Sequence, residues 1–166
     1  MKNVKSVCAV LFLFLMLSFA NRGKEGVKVG QTAPAFRIEE DGTSGKSFDL
    51  KAEKGKFVVL SFWAGYDALS RVSDIRMQAA IDRLENQENV RLVSISYDTN
   101  ENVYRESVRL DGLDESTHYY DSDGEKSAIF RDFRLRQGFG NYLINPDGEI
   151  IARNFDPENL AQLICQ

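Results

Sequence analysis

Histidine and tryptophan occur once each in the 166 residues, cysteine twice and proline three times. So few ligands cannot build a zinc finger or a histidine-rich metal site. A Ser-His-Asp or Cys-His hydrolase would depend entirely on His118. Positive charge is also short. Twenty-one Lys and Arg face 25 Asp and Glu, for a net charge of −4. With a pI near 5.1, the chain lacks the basic surface of a nucleic-acid binder. What is present suits a folded protein. Hydrophobic residues make up 43% and aromatics 11%, which separates the chain from disordered segments. The length fits one ordinary domain with a real core.

Met1 to Lys5 carries two lysines, and Ser6 to Ala20 then runs without a charge. The stretch closes on Ser18-Phe19-Ala20, whose small residues suit a cleavage site. This is the three-part layout of a secretory signal peptide, and the apolar run is short for a spanning helix. A retained N-terminal anchor is the alternative. Asn21 follows the expected cut and Cys8 lies too early, so a lipid anchor has no support. The expected division is a signal peptide at 1–20, a linker at 21–29 and a domain at 30–166, exported to the periplasm or cell envelope. Membrane association is expected only through the signal segment. Without Lys2 and Lys5, 19 basic residues face 25 acidic ones, and the charge becomes −6. Cys165 is then the sole thiol, which excludes an internal disulfide. Two readings of it stand: an incidental terminal residue, or an intermolecular disulfide.

Residues 36–38 and 47–50 alternate in polarity around a glycine-containing turn, which predicts a hairpin. Phe57 to Trp63 is apolar on both faces, as in a central strand, and Val90 to Tyr97 reads as a second one. Between them, residues 68–86 predict a helix with Leu69, Val72, Ile75, Ala79, Ala80 and Leu84 inward. A surface helix over 101–110 follows, with Glu101 and Arg105 placed to pair. A short strand is expected at 118–120, then a helix over 125–135 presenting Ala128, Ile129 and Phe133. Strands at 142–144 and 149–152 flank Pro146-Asp147-Gly148, a strong turn signal. Asp156-Pro157-Glu158 then opens a last helix with Leu160, Leu163 and Ile164 buried. Strands alternating with helices imply parallel pairing, and the closing hairpin adds antiparallel strands.

The motifs Gly30-Gln31-Thr32-Ala33-Pro34-Ala35-Phe36, Gly55 to Ala64 and Tyr142 to Ile150 fall in the right order for a known family. The chain resembles the exported thiol–disulfide oxidoreductases of the TlpA/ResA type, within the AhpC/TSA-like group, from about Val29 to Ile164. The resemblance implies an α/β fold: a thioredoxin-like three-layer sandwich, with a central mixed β-sheet between helices and an N-terminal β-hairpin. It also implies an oxidoreductase or antioxidant-type enzyme. The stretch Trp63-Ala64-Gly65-Tyr66-Asp67-Ala68-Leu69-Ser70-Arg71 departs from the family's W-A-x-W-C-x-x-C-R. Asp67 and Ser70 stand where the cysteine pair belongs, and Phe139 stands where the family carries a cis-proline.

Thiol–disulfide exchange requires a thiolate that attacks sulfur. Neither a carboxylate nor a hydroxyl can replace it, and a peroxiredoxin mechanism fails for the same reason. The reading is therefore an exported, redox-inactive domain that binds a polypeptide or another envelope component, with no catalytic residue, cofactor or metal. The alternative is the family's enzyme working through Cys165 or a partner's thiol. Non-redox catalysis by Asp67 or Ser70 and a purely structural role are further options. Asp67 is expected to cap a helix. Trp63, Tyr66, Asp67 and Phe139 form the candidate binding surface, against the plainer reading that Trp63 is core and Phe139 fills space. His118 is expected at a surface or edge. Asp121 to Glu125 is expected to be a turn, since Asp132 falls where a calcium loop needs its bidentate Glu.

Overall fold

The structure is a computed structural model and describes residues 27–40 and 45–165. The signal segment 1–20, residues 21–26 of the linker and the Gly42 part of the hairpin turn lie outside the described residues. Two short strands, β1 (Arg37–Glu39) and β2 (Ser47–Asp49), form the expected hairpin. The main sheet holds β3 (Phe57–Trp63), β4 (Val90–Ser96), β5 (His118–Tyr120), β6 (Asn141–Ile144) and β7 (Ile150–Arg153), in the order β5-β4-β3-β6-β7. β3, β4 and β5 run parallel, while β6 and β7 join antiparallel. This is the mixed sheet the alternation predicted. Gly148, at φ +88°, closes the β6–β7 turn, and Asn145 Oδ1 accepts the amides of Asp147 and Glu149.

Alternation along β3 divides the core. Val58, Leu60 and Phe62 point to one face, where Ile38 and Phe48 of the hairpin and Ile129, Phe130 and Phe133 close the layer. Val59 and Trp63 point to the other, toward helices α1 (Ala68–Asp82), α2 (Glu101–Asp111) and α4 (Leu160–Ile164). Burial on both faces explains the unbroken apolar run in β3. Val27, placed by the sequence in the linker, packs in this core. The helix expected over 125–135 is shorter: α3 spans Ala128–Asp132 between two 3-10 turns, and Arg134 takes a left-handed φ of 57°. Its phase also differs, burying Phe130 and exposing Ala128. The last helix likewise begins with a 3-10 turn at Pro157–Asn159, its first amides met by Asp156.

The hairpin is pinned to the outer edge of the sheet. Glu40 Oε1 accepts the Tyr120 N–H at 3.3 Å and the Tyr104 hydroxyl at 3.2 Å. Lys46 Nζ donates to the Glu115 and His118 carbonyls and lies 4.2 Å from the Tyr119 ring centroid. Burial holds the Lys46 ammonium pKa below its ordinary value, with Glu40 opposing. The hairpin thereby occupies polar groups of β5 that would otherwise template another chain.

Two expectations fail at α1, its length and its buried face. The helix ends at Asp82, and its buried stripe is Ser70, Asp74, Met77, Ala80 and Ile81. Leu69, Val72 and Ala79, expected inside, face solvent. The stripe is turned because Asp74 is drawn inward by His118, which is itself wholly buried rather than at the surface. His118 Nε2 lies 2.9 Å from Asp74 Oδ2, and Ser94 donates to Asp74 Oδ1 at 2.5 Å. His118 Nδ1 meets the Asp114 carbonyl at 2.8 Å, so Nδ1 carries hydrogen. Asp74, Ser94 and His118 thus form one buried polar cluster between α1, β4 and β5. Removing either partner leaves a buried polar group unpaired. His118→Ala and Asp74→Ala are each expected to cost about 3–5 kcal/mol in urea unfolding, with the double variant costing clearly less than their sum.

Candidate functional site

The site is built where β3 ends and α1 begins. Asp67 is extended at φ −98° and ψ 97°, and its carboxylate accepts the Ser70 N–H at 3.0 Å. The expected helix cap is thus present. Ser70 Oγ donates to the Asp67 carbonyl at 3.1 Å and accepts the Ala64 N–H at 3.4 Å. Ser70 is buried and Asp67 half-buried. Both side chains are engaged with backbone, so neither is poised as a nucleophile or base for the other.

Gly65 lets this loop approach its neighbours. Its N–H donates to Asp98 Oδ1 at 2.8 Å, and a Cβ there would lie 2.9 Å from Ser107 Oγ and 3.2 Å from Asp98 Oδ1. Asp98 is buried and also accepts the Ser96 hydroxyl at 2.8 Å. Across the site, Gly138-Phe139-Gly140 carries the phenyl ring inward. Gly138 adopts φ +123°, and a Cβ on Gly140 would collide with Asn154. The Gly140 carbonyl accepts the Phe62 N–H at 3.0 Å, tying the loop to β3. Among the described residues there is no cis peptide bond.

Phe139 stacks on Tyr97 at 6.0 Å with 10° between planes, and the Tyr66 ring lies 6.4 Å from Phe139. Tyr97 donates to Asp121 Oδ2 at 2.9 Å. Burial first, then Asp121, pushes the Tyr97 hydroxyl far above its ordinary range. Tyr66 is 68% exposed, and its hydroxyl is raised by partial burial and then by Asp98, Glu125 and Asp67. These two phenols therefore stay neutral at physiological pH.

The structure brings together three of the four expected surface residues: Tyr66 and Asp67 on the α1 loop, and Phe139 opposite. Trp63 is a correction. It is completely buried, 6.3 Å from Tyr104 and 6.2 Å from His118 between ring centroids. Its burial follows from β3 parity, which points Trp63 toward α2. Cys165 is exposed after α4, a helix that packs against Met77, Ala80 and Ile81 in the later half of α1. It is therefore not part of the Asp67 site. Asp121 to Glu125 forms a turn, with Asp121 also accepting the Asp123 N–H. Among the described residues no group of three or more His, Cys, Asp or Glu could hold a metal ion. Sequence reasoning missed the exposure of Leu69, at 87%, and Val72, at 54%, in the first turns of α1. The only available signal was their i, i+3 spacing, which a core reading explains equally well.

The parallel β3-β4-β5 sheet extended by an antiparallel hairpin, with α1 starting at the end of its central strand, defines a thioredoxin-like protein. The AhpC/TSA family pattern matches residues 29–153, and the chain belongs to that family. A thioredoxin-like protein from Parabacteroides distasonis is 34% identical, with a TM-score of 0.71 over 86% of this chain and 98% of that one. The thioredoxin domain of a thiol-disulfide oxidoreductase from Bacteroides vulgatus is 18% identical, with a TM-score of 0.69 over 84% and 96%. A thiol-disulfide oxidoreductase from Bacteroides fragilis is 21% identical, with a TM-score of 0.67 over 80% and 96%. No curated protein sequence matches the chain. Among the described residues no helix is long and apolar enough to cross a membrane.

The placement of Asp67 and Ser70 one helical turn apart is testable by chemistry. Asp67→Cys/Ser70→Cys, made with Cys165→Ser, is expected to form a 67–70 disulfide on mild oxidation. Mass spectrometry should show the loss of two hydrogens and a protected thiol pair. Free thiols after oxidation would place the family's cysteine positions elsewhere.

Proposed function

We propose that this protein is an exported binding module, a thioredoxin-like domain that has given up thiol–disulfide chemistry. The observation that carries the reading is the Asp67–Ser70 cap. At the helix start, a carboxylate and a hydroxyl bond to backbone atoms, and neither can form or resolve a mixed disulfide. A single remote cysteine cannot store two electrons within the chain. Fold alone would assign oxidoreductase activity, but function follows from the residues at the site. Export rests on the signal-like residues 1–20.

The binding surface of this reading is Tyr66, Asp67 and Phe139, and its partner is a polypeptide or another envelope component. An exposed aromatic beside a half-buried one is the kind of anchor that dominates protein interfaces. The competing reading is the family's enzyme working through Cys165, and the exposure of that thiol is what favours it. In affinity capture from envelope extract, Tyr66→Ala and Phe139→Ala are each expected to reduce recovery of the partner about tenfold while circular dichroism stays unchanged. Equal recovery by wild type and both variants would reject the surface. A partner held through a reducible bond to Cys165 would favour the competing reading.

A further inference from the structure

On the face of the sheet that carries α3, two arginines converge on the buried Tyr142. Arg153 is the register partner of Tyr142 across β6 and β7, and its Cζ lies 5.5 Å from the Tyr142 ring centroid. The Tyr142 hydroxyl donates to the Phe133 carbonyl at 3.4 Å, and Arg134 follows Phe133 directly. Burial raises the Tyr142 hydroxyl pKa, and Arg153 and then Arg134 oppose it, so both guanidinium groups lie within electrostatic reach of that oxygen. Both arginines are exposed. Their neighbours are matched, Arg131 with Asp132 at 2.9 Å and Arg136 with Glu125 at 3.3 Å. Among the described residues Arg134 and Arg153 form no ion pair, and no hydrogen bond holds the Arg134 side chain.

The backbone adds a second observation. Arg134 is held left-handed at φ 57° and ψ 39°, just past the end of α3. Glycine takes such a position freely, whereas a side chain there is strained. No bond of the Arg134 side chain within the fold offsets that strain, which leaves the guanidinium for a partner. The pair also adjoins the Phe139 loop. Asn154, next after Arg153 and left-handed at φ 51°, places its Oδ1 where a Cβ on Gly140 would stand. The arginines of the 930 Å³ cleft along α2 make the contrast. Arg71 is bidentate to Asp111, with both contacts at 2.7 Å, and Arg105 and Arg109 pair with Glu101 and Glu106.

We propose that Arg134 and Arg153, beside the Phe139 loop, seat the carboxylates of an acidic polypeptide segment. The proposal rests on the binding-module reading and extends it to the chemistry of the partner. A guanidinium presents a planar fork of donors that a carboxylate accepts bidentately, so two forks at one spot favour carboxylate side chains over neutral ones. The chain as a whole is negative, at −4, so an acidic segment is held off elsewhere and drawn to the unmatched arginines. The same net charge disfavours a broad anionic surface such as a phospholipid bilayer, which would meet the carboxylates around the pair as well.

The test uses the protein and two labelled peptide probes, each with a central Phe-Leu pair. One carries two glutamates on each side, and the other carries glutamines. In fluorescence anisotropy at low salt, the glutamate probe should bind at least about fivefold more tightly, and the gap should shrink in high salt. Arg134→Gly should remove most of that gap while the melting temperature stays within about 3 °C, because glycine fits the left-handed backbone. Arg153→Gln should also narrow the gap. Arg83→Gln is the control: it removes the same charge just past the end of α1, on the opposite face of the sheet, and should change the affinity less than about twofold. Equal affinity for the two probes, no binding of either, or a loss in Arg134→Gly no larger than in Arg83→Gln overturns the proposal. So does binding to vesicles of anionic phospholipid in preference to the glutamate probe. Partner capture that depends on Tyr66 and Phe139 but is unchanged by Arg134→Gly removes this proposal and leaves the binding-module reading standing.

Discussion

The buried contact between Asp74 and His118 sets the rotation of α1, and the rest of the site follows from that rotation. Asp74 enters the core between Ser94 on β4 and His118 on β5, so it joins the helix to two strands of the sheet. With Asp74 inward, Ser70, one turn earlier, must also face in, and Met77 and Ile81 follow on the same stripe. Asp67 is left at the mouth of the helix. Leu69 and Val72 are turned to solvent despite their hydrophobicity. A pair worth several kcal/mol when broken outweighs the roughly 1.5–3 kcal/mol gained by burying one aliphatic side chain.

The loops around Asp67 are shaped by close approach. Gly65 admits the Asp98 carboxylate to the backbone, and Gly138 and Gly140 carry Phe139 between them onto Tyr97. The outcome is a helix start whose polar groups are internally satisfied and whose margin is aromatic. A thioredoxin-like frame normally uses the dipole at this point to stabilise a thiolate. Here the same dipole stabilises a carboxylate, which has no sulfur chemistry. This replacement of a thiolate by a carboxylate is what the proposed binding-module reading rests on.

The strands were legible in the sequence because continuous apolar runs such as Phe57 to Trp63 can be satisfied only inside a sheet covered on both faces. The Asp67 cap and the Pro146-Asp147-Gly148 turn were legible because their side chains act within a few residues. The phase of α1 was not, because it depends on a partner 44 residues away in sequence. Local hydrophobicity then favoured the stripe through Leu69 and Val72. The burial of His118 escaped for the same reason: a lone histidine carries no signal until its carboxylate is known. Trp63 was readable as strand but not as inward or outward, since both faces of β3 are buried. Phe139 was locatable only by family correspondence, and its stacking on Tyr97 needed the glycine-flanked loop to be seen in space.

The central claim is that this frame carries no dithiol chemistry of its own. Its most direct measurement is insulin reduction with dithiothreitol as electron source, comparing the purified protein lacking residues 1–20, its Cys165→Ser variant and a protein-free blank. The account predicts that all three give the same rate of insulin precipitation. Turnover by the wild-type chain clearly above the Cys165→Ser variant would contradict it, and would return the protein to the enzymes its fold resembles.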